Sequence, residues 1–248
     1  MIKAWLKFFR VVNLPTVPGD VWVGAVAAWF GEGIVFDYGV PLFTATVASV
    51  FLYLFGLADN DIVGAKTDKG RPIPDGQISM RAARIARAAC ALAAIGAGLA
   101  PDPIAGTPLP GAWWPVAFTL LCAIVAYNRT KAWALMGLCR GLNVVCGGVV
   151  VLSSCASLTS GEGAASPLLS LGVCVAVWTV YFAAVTKYSE GEEMDEAKRR
   201  RVGFLVGAII YLQILALLVF QSGIVVLLAV ALLVMRLMKW FLPEVDAS

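Results

Sequence analysis

Asparagine and aspartate side chains recur within residues 57–79 at a spacing that suits metal binding. If a helix runs into this segment, Asn60, Gly64 and Asp68 follow one another at intervals of four residues, and Asp61 precedes Asp68 by seven. All of them then lie near one helix face. Carboxylates in this arrangement fit Mg²⁺, which takes one or two carboxylates and completes its shell with water and phosphate oxygens. The alternative is an ordinary solvated polar loop.

A second acidic segment follows much later in the chain. Residues 190–196 contain five acids and are followed at once by a basic run over 198–201. The simplest interpretation is a solvated helix start, since acids stabilise the first turn of a helix. Together with basic residues, however, two acidic segments at equivalent ends of helix pairs would form an opening for a divalent ion and a polyanion. The apolar helices below would then hold a long hydrocarbon tail.

The composition determines which elements must position these groups. Of the 248 residues, 60% are hydrophobic and 14% are charged, whereas soluble domains carry about 25% charged residues. The chain is therefore expected to be an all-α, polytopic membrane helix bundle. It has no histidine, which excludes imidazole-based nucleophile activation, haem ligation by histidine and histidine-containing zinc sites. The chemistry must rest on carboxylates, cations or a bound metal.

Apolar runs separated by charged or Gly/Pro-rich stretches predict about eight transmembrane helices. The predicted spans are 14–31, 39–58, 80–100, 112–128, 133–155, 168–187, 202–221 and 223–241. The even-numbered connections and both termini carry all 19 lysines and arginines, whereas the opposite loops carry only acids. By the positive-inside rule, both termini and both acidic segments face the cytoplasm, and the chain is expected to be a multi-pass protein of the inner (cytoplasmic) membrane.

A distinctive motif follows the first acidic segment. The chain reads Asn60-Asp61, then Asp68, then Arg71-Pro72-Ile73-Pro74, Gly76 and Ile78-Ser79. This pattern resembles the UbiA superfamily of intramembrane prenyltransferases, whose first signature is N-D-x-x-D-x-x-x-D followed by R-P-I-P-x-G-x-I-S. Physically, the prolines end the helix, Gly76 relaxes the turn and Ser79 is a plausible N-cap for the next helix.

Three departures from the superfamily pattern stand out. The middle Asp of the first signature is Gly64, the second signature is replaced by irregularly spaced acids, and eight spans are predicted where the superfamily usually has nine. Gly64 and the stretch 136–143 most resemble the EboC-like branch, for which a role in handling or exporting a metabolite has been considered. The resemblance therefore leaves two readings open: a prenyltransferase, or a non-catalytic membrane protein that binds or helps to export a lipophilic metabolite.

Under the first reading, residues 1–248 form a single UbiA-like transmembrane prenyltransferase domain. It would use Mg²⁺ to transfer an isoprenyl group from an isoprenyl diphosphate to an aromatic or other lipophilic acceptor within the membrane. Its partners would be these two substrates and membrane lipid, and no nucleic acid is expected. The resemblance implies catalytic roles for Asn60, Asp61 and Asp68. The implied metal ligands are Asp61, Asp68, Glu190, Glu193 and Asp195. The implied substrate-binding residues are Arg71, Lys131, Arg140, Asn143, Asn13 and Tyr127.

Two further features have open interpretations. Asp20 lies within or near the first predicted span, where an ionisable group is a candidate functional residue. It either lines a cavity with Asn13 or marks only a deep polar entry. The tryptophans, among them Trp113 and Trp178, lie mostly near predicted span ends, and a belt at the membrane interface accounts for them most simply.

Overall fold

The computed structural model of the chain describes residues 2–29, 42–102, 106–154, 165–190 and 196–219. Its helices are α1 (Ile2–Phe8), α2 (Thr16–Ala28), α3 (Leu42–Val63), α4 (Met80–Leu99), α5 (Trp113–Thr130), α6 (Trp133–Ser154), α7 (Ala165–Ser189) and α8 (Glu196–Val219). The described ranges contain no strand. The predicted all-α polytopic bundle is confirmed, and helices occur at seven of the eight predicted spans. The eighth, 223–241, lies outside the described residues.

The long helices are suited to a bilayer in length and in surface. Six helical segments, which include α2, α3, α4 and α6 to α8, are long and apolar enough to cross a membrane. α5 is also 18 residues long but is less apolar. Large apolar side chains face outward: Phe204, Leu169 and Phe118 are 75%, 70% and 67% exposed. Because lipid is the solvent for such a surface, these side chains need no protein partner.

The bundle is organised around α3 and α6. α6 packs against α2, α5 and α7, and α3 packs against α2, α4 and α5. Glycines allow α2 and α6 to approach closely: a Cβ at Gly24 would lie 1.8 Å from the Val144 carbonyl oxygen, and one at Gly147 would lie 1.8 Å from that of Val21. Small residues at such a contact let the helix backbones pack directly, as membrane helix pairs commonly do.

At one end of the bundle, α1 and the loop between α3 and α4 pack over the end of α3. The buried side chains of Ala4 and Phe8 pack in one cluster with Ala58, Ile78 and Ala83. Across the same end, Lys7 Nζ donates a hydrogen bond of 2.9 Å to the Gly70 carbonyl oxygen. α1 therefore packs as a cover over the end of α3.

The loop after α3 has the turn chemistry that its sequence indicates. Gly70 and Gly76 have φ angles of 72° and 71°, which only glycine adopts without strain. The Ile78 amide donates to the Pro72 carbonyl oxygen at 3.0 Å, which closes the turn around Pro74. Ser79 caps α4, because its Oγ accepts a hydrogen bond from the Ala82 amide at 3.1 Å. The predicted N-cap is confirmed.

Candidate functional site

A cavity of about 330 Å³ lies among α2, α3, α5 and α6. Its polar residues form two groups at different depths. The mouth, at the end of α3 covered by α1, consists of Arg10, Asn60, Asp61, Asp68, Arg71 and Lys131. The inner layer consists of Asp20, Ser49, Tyr53, Arg140 and Asn143. The rest of the wall is largely apolar and includes Leu57, Leu120, Ile124 and Met136.

Asp61 is the buried carboxylate of the mouth. It is 1% exposed, and its Oδ1 accepts from Arg71 at 3.1 Å and from Arg10 at 3.3 Å. Its Oδ2 is buried and has no hydrogen-bond partner among the described residues. One oxygen thus holds two guanidinium groups at the cavity, while the other is left for a cation or a bound donor.

Asp68 occupies the space left by Gly64. A Cβ at Gly64 would lie 2.4 Å from Asp68 Oδ2, so that oxygen stands where a side chain at position 64 would begin. Asp68 Oδ1 accepts from the Thr67 hydroxyl at 3.0 Å, and Oδ2 lies 3.9 Å from Arg71 Nε. The glycine that departs from the superfamily signature therefore has a structural consequence, since it lets the Asp68 carboxylate fold back against the end of α3.

Lys131 completes the cationic mouth. Its Nζ donates to Asn60 Oδ1, and its backbone caps α5 in the left-handed conformation, with φ of 54°. Partial burial lowers the pKa of Lys131, and the nearby positive charges of Arg10 and Arg71 lower it further, while Asp68 opposes them. Three cations thus share the mouth with two carboxylates, which leaves an excess of positive charge for an anion.

Asp20 organises the inner layer and is fully buried. Its Oδ2 forms a salt bridge of 3.0 Å with Arg140 and accepts from Asn143 at 3.3 Å. Its Oδ1 accepts from Trp178 at 2.9 Å and from Gln213 at 2.8 Å. Four helices therefore meet at one carboxylate, whose charge is balanced by one guanidinium group. Neither Asp20 nor Asn13 lines the cavity, and Asp20 instead holds the lining residue Arg140 from behind.

Two of the three guanidinium nitrogens of Arg140 have hydrogen-bond partners among the described residues, and Nε does not. Besides Asp20, its Nη2 donates to Thr16 Oγ1 at 3.0 Å, and its guanidinium carbon lies 4.2 Å from the centre of the Phe182 ring. Its Nε is buried without a partner among the described residues. Since Arg140 also lines the cavity, this N–H is available to a molecule bound there.

Most of the predicted site residues come together at this cavity. Those lining it are Asn60, Asp68, Arg71, Tyr127, Lys131, Arg140 and Asn143. Asp61 lies behind Arg10 and Arg71, and Asn13 is not part of the lining. Glu190 lies just past the end of α7, where its carbonyl oxygen accepts from Lys198 Nζ at 2.8 Å, and it is not part of the lining. Glu193 and Asp195 lie outside the described residues.

Several functional residues escaped the sequence-based prediction. Arg10 lines the cavity although it was not among the predicted site residues. Trp113 and Trp178 are 1% and 6% exposed, so they are core residues and the interfacial belt is the wrong explanation for them. Asp59 has a structural role, because its oxygens accept hydrogen bonds from Arg87 at 2.8 Å and from Asn128 at 3.0 Å. Asp59 and Asp61 are close in sequence, and nothing in the sequence indicates that their carboxylates bind different partners.

The described carboxylates fit a Mg²⁺ ion as far as their chemistry goes. Asp61 Oδ2 is a buried carboxylate oxygen without a partner, and Asp68 and the Asn60 amide lie on the cavity wall. Hard oxygen donors of this kind are what Mg²⁺ prefers. In the described ranges no three acidic or cysteine side chains gather into a preformed site. The remaining ligands would therefore come from water, from a bound phosphate or from the acidic segment after α7.

Comparisons with known proteins bear on the fold. No protein-family model matches the sequence, and no curated protein matches it. A solved structure of a digeranylgeranylglyceryl phosphate synthase, a UbiA-type prenyltransferase, superposes with a TM-score of 0.57 and 14% sequence identity, covering 98% of this chain and 88% of the synthase. This structural likeness does not support the narrower resemblance to the EboC-like branch, which stays a prediction. The chain thus has the fold of a UbiA-type polytopic membrane bundle.

Proposed function

We propose that the protein transfers an isoprenyl group from an isoprenyl diphosphate to an aromatic or other lipophilic acceptor within the membrane. The observation that carries this proposal is the cavity itself, which joins a cationic mouth to an apolar wall inside a membrane bundle. A diphosphate with a hydrocarbon tail has the same division between an anionic head and an apolar body. The fold of a membrane prenyltransferase supports the same reaction in general terms.

The mouth cations would bind the diphosphate and stabilise it as it leaves. In the reaction, the bond between the first prenyl carbon and the diphosphate oxygen breaks, and the electron pair stays on the diphosphate. The acceptor supplies the electron pair of the new bond and loses a proton. Arg10, Arg71 and Lys131 stand where the charge on the leaving group develops, which is electrostatic stabilisation of the transition state. Planar guanidinium groups are well suited to bidentate phosphate contacts.

One carboxylate and one side-chain amide hold these cations in position. Asp61 fixes Arg10 and Arg71 through a single oxygen, and Asn60 accepts from Lys131. The groups that would hold Mg²⁺ are Asp61 and Asp68, joined by one or more of Glu190, Glu193 and Asp195. When bound, the ion would neutralise diphosphate charge and so assist its departure. Asn60 would orient a carboxylate or a water molecule beside it.

The apolar wall would hold the prenyl tail. Leu57, Leu120 and Ile124 line the cavity, and Tyr53 and Tyr127 add ring surfaces. Ring faces stabilise a passing cation, as an allylic cation formed at the first prenyl carbon would require. A tail bound along this wall stays out of water, and its burial contributes about 0.8 kcal/mol for each CH₂ group.

We place the mouth on the cytoplasmic face of the inner membrane. The loops around it carry Lys66, Lys69, Arg71 and Lys131, and the far ends of the same helices lack such clusters. Under the positive-inside rule, basic loops stay in the cytoplasm. A soluble diphosphate substrate would then reach the mouth directly from the cytoplasm.

The decisive experiment is diphosphate release by the purified protein with a panel of isoprenyl diphosphates of different chain lengths, with Mg²⁺ and with EDTA. We expect Mg²⁺-dependent release with at least one chain length. Asp61→Ala and Asp68→Ala should each abolish release without unfolding the protein. Asp75→Ala, an exposed acid in the same loop, is the matched control and should retain full activity.

The outcome also separates this proposal from a non-catalytic role. Saturable binding of an isoprenyl diphosphate without release under any condition would favour a protein that binds or helps to export a lipophilic metabolite. Neither release nor binding with any chain length would overturn the proposed enzyme. Full activity in Asp61→Ala or Asp68→Ala would show that the site is misplaced.

A further inference from the structure

The inner layer contains two buried polar atoms that have no partner among the described residues. They are Ser49 Oγ and Arg140 Nε, on residues that are 1% and 7% exposed. Both residues line the same cavity, although they come from α3 and α6. A buried polar atom without a hydrogen bond is destabilising, so two of them on one cavity wall point to a hydrogen-bonding partner in the cavity.

The inner layer is well separated from the mouth. Tyr53 and Ser49 precede Asn60 on α3 by seven and eleven residues, which corresponds to about 10 and 16 Å along the helix. Arg140 lies seven residues into α6, about 10 Å below its first turn. The stretch between contributes apolar side chains to the wall. A diphosphate bound at the mouth therefore cannot satisfy Ser49 with the same head group.

The charge of the inner layer identifies the class of its ligand. Arg140 is balanced by Asp20 at 3.0 Å, and Asp20 is also saturated by hydrogen bonds, so the layer has no net charge to offer an anion. Moving an unpaired charge into this depth of the membrane would be costly. An uncharged oxygen faces no such penalty, and it can accept from Arg140 Nε while exchanging a hydrogen bond with the Ser49 hydroxyl.

We infer that the inner layer is a second binding subsite, which takes an uncharged hydroxyl or carbonyl oxygen on a lipophilic molecule. The subsite goes beyond the proposed function, because Tyr53 and Ser49 lie about 10 and 16 Å along α3 from Asn60 at the mouth, and binding there does not depend on transfer. Arg140 Nε donates to the ligand oxygen and Ser49 forms the second hydrogen bond. Asp20 is a positioning residue, since it fixes the guanidinium group and cancels its charge.

The test is equilibrium binding of tritiated 4-nonylphenol to the full chain in nanodiscs, without any diphosphate. Competitors are unlabelled 4-nonylphenol, nonylbenzene, which lacks the oxygen, and 4-nonylbenzoate, which carries a charge. We expect saturable binding that only the phenol displaces efficiently. Ser49→Ala should weaken it about tenfold, the value of one hydrogen bond at 1.4 kcal/mol. Ser170→Ala, on α7 and outside the cavity lining, should bind like the wild type.

The stability of the variant distinguishes binding from a structural role. Because Ser49 Oγ has no partner, Ser49→Ala without ligand should leave the melting temperature unchanged or raise it. Arg140→Lys retains a charge for Asp20 but removes Nε, and should also lose the preference for the phenol. The subsite is overturned if nonylbenzene competes as well as the phenol, if Ser49→Ala binds normally, or if 4-nonylbenzoate binds more tightly than the phenol.

The outcome of the phenol-binding assay is independent of the outcome of the diphosphate-release assay. Phenol binding that depends on Ser49, combined with no diphosphate release under any condition, would overturn the proposed enzyme and support the subsite. Diphosphate release without such phenol binding would overturn the subsite alone.

Discussion

The mouth and the inner layer are both built around a buried aspartate, yet the two aspartates are used in opposite ways. Asp20 accepts from four side chains through both oxygens, whereas Asp61 holds two arginines on one oxygen and leaves the other unpaired. The Asp20 network is closed and neutral, and the mouth is open and carries excess positive charge. A saturated carboxylate braces the helices, while an unsaturated one can exchange partners during binding and release.

Breaking the closed network should give the largest effect on stability. Asp20→Ala leaves Arg140 buried without its counter-charge, and removing one partner of a buried ion pair costs about 3 to 5 kcal/mol. The free energy of unfolding in detergent, measured by denaturant titration, should fall by that amount. The double variant Asp20→Leu/Arg140→Met should recover the part of the loss that comes from the unpaired charge, while Trp178 and Asn143 still lose Asp20 as an acceptor. A single-variant loss below 1 kcal/mol would contradict the bracing role.

Breaking the open site should affect binding and rate more than stability. Asp61→Asn keeps the shape of the side chain but frees Arg10 and Arg71, which are each 21% exposed and therefore partly solvated. We expect a stability loss of about 1 to 2 kcal/mol. Diphosphate release should fall by about a hundredfold or more. In the presence of EDTA, pyrophosphate should bind more tightly to Asp61→Asn than to the wild type, because the arginines no longer have a competing carboxylate. Weaker binding would show that Asp61 does not compete with the anion for the arginines.

The pH dependence of the mouth should follow Lys131. Burial lowers its pKa from the ordinary 10.5, so the side chain loses its charge at a lower pH than an exposed lysine does. Pyrophosphate affinity should therefore be full below this pKa and should fall as the pH rises through it, by about tenfold for one charge-assisted hydrogen bond. Lys131→Arg should extend binding to higher pH, and Lys131→Met should bind weakly without this pH dependence. An identical profile in all three proteins would rule out Lys131 as a phosphate contact.

The smallest effect is expected at Gly64. Gly64→Ala places a Cβ where Asp68 Oδ2 now lies, so the carboxylate must swing away. We expect diphosphate release to change by about three- to tenfold, with a stability change within 1 kcal/mol. Gly96→Ala, in open space on α4, is the control and should stabilise the helix by about 0.5 to 1 kcal/mol without affecting release. Unchanged release in Gly64→Ala would show that the position of Asp68 does not matter.

The sequence predicts the helices of the mouth better than it predicts the inner layer. Hydrophobic runs and charge clusters locate seven helices, and the residues after α3 identify the turn, the Ser79 cap and most of the cavity lining. These signals are local, so they survive without knowledge of packing. Asp20, Trp178 and Gln213 meet although they are up to 193 positions apart in the chain. No sequence spacing connects these three residues, and none of them by itself indicates a shared site. Arg10 was missed for the same reason, because its partner Asp61 lies 51 positions away.

Two mouth cations sit at unusual backbone positions. Within the described ranges, Arg10 and Lys131 are the residues other than glycine with positive φ, at 42° and 54°. The left-handed conformation costs a residue with a side chain roughly 1 to 2 kcal/mol, and glycine would relieve it. Selection for thermostability alone would therefore favour replacing both cations. At these two positions, thermal stability and anion binding make opposite demands on the residue type. A variant selected for stability alone is therefore expected to be inactive.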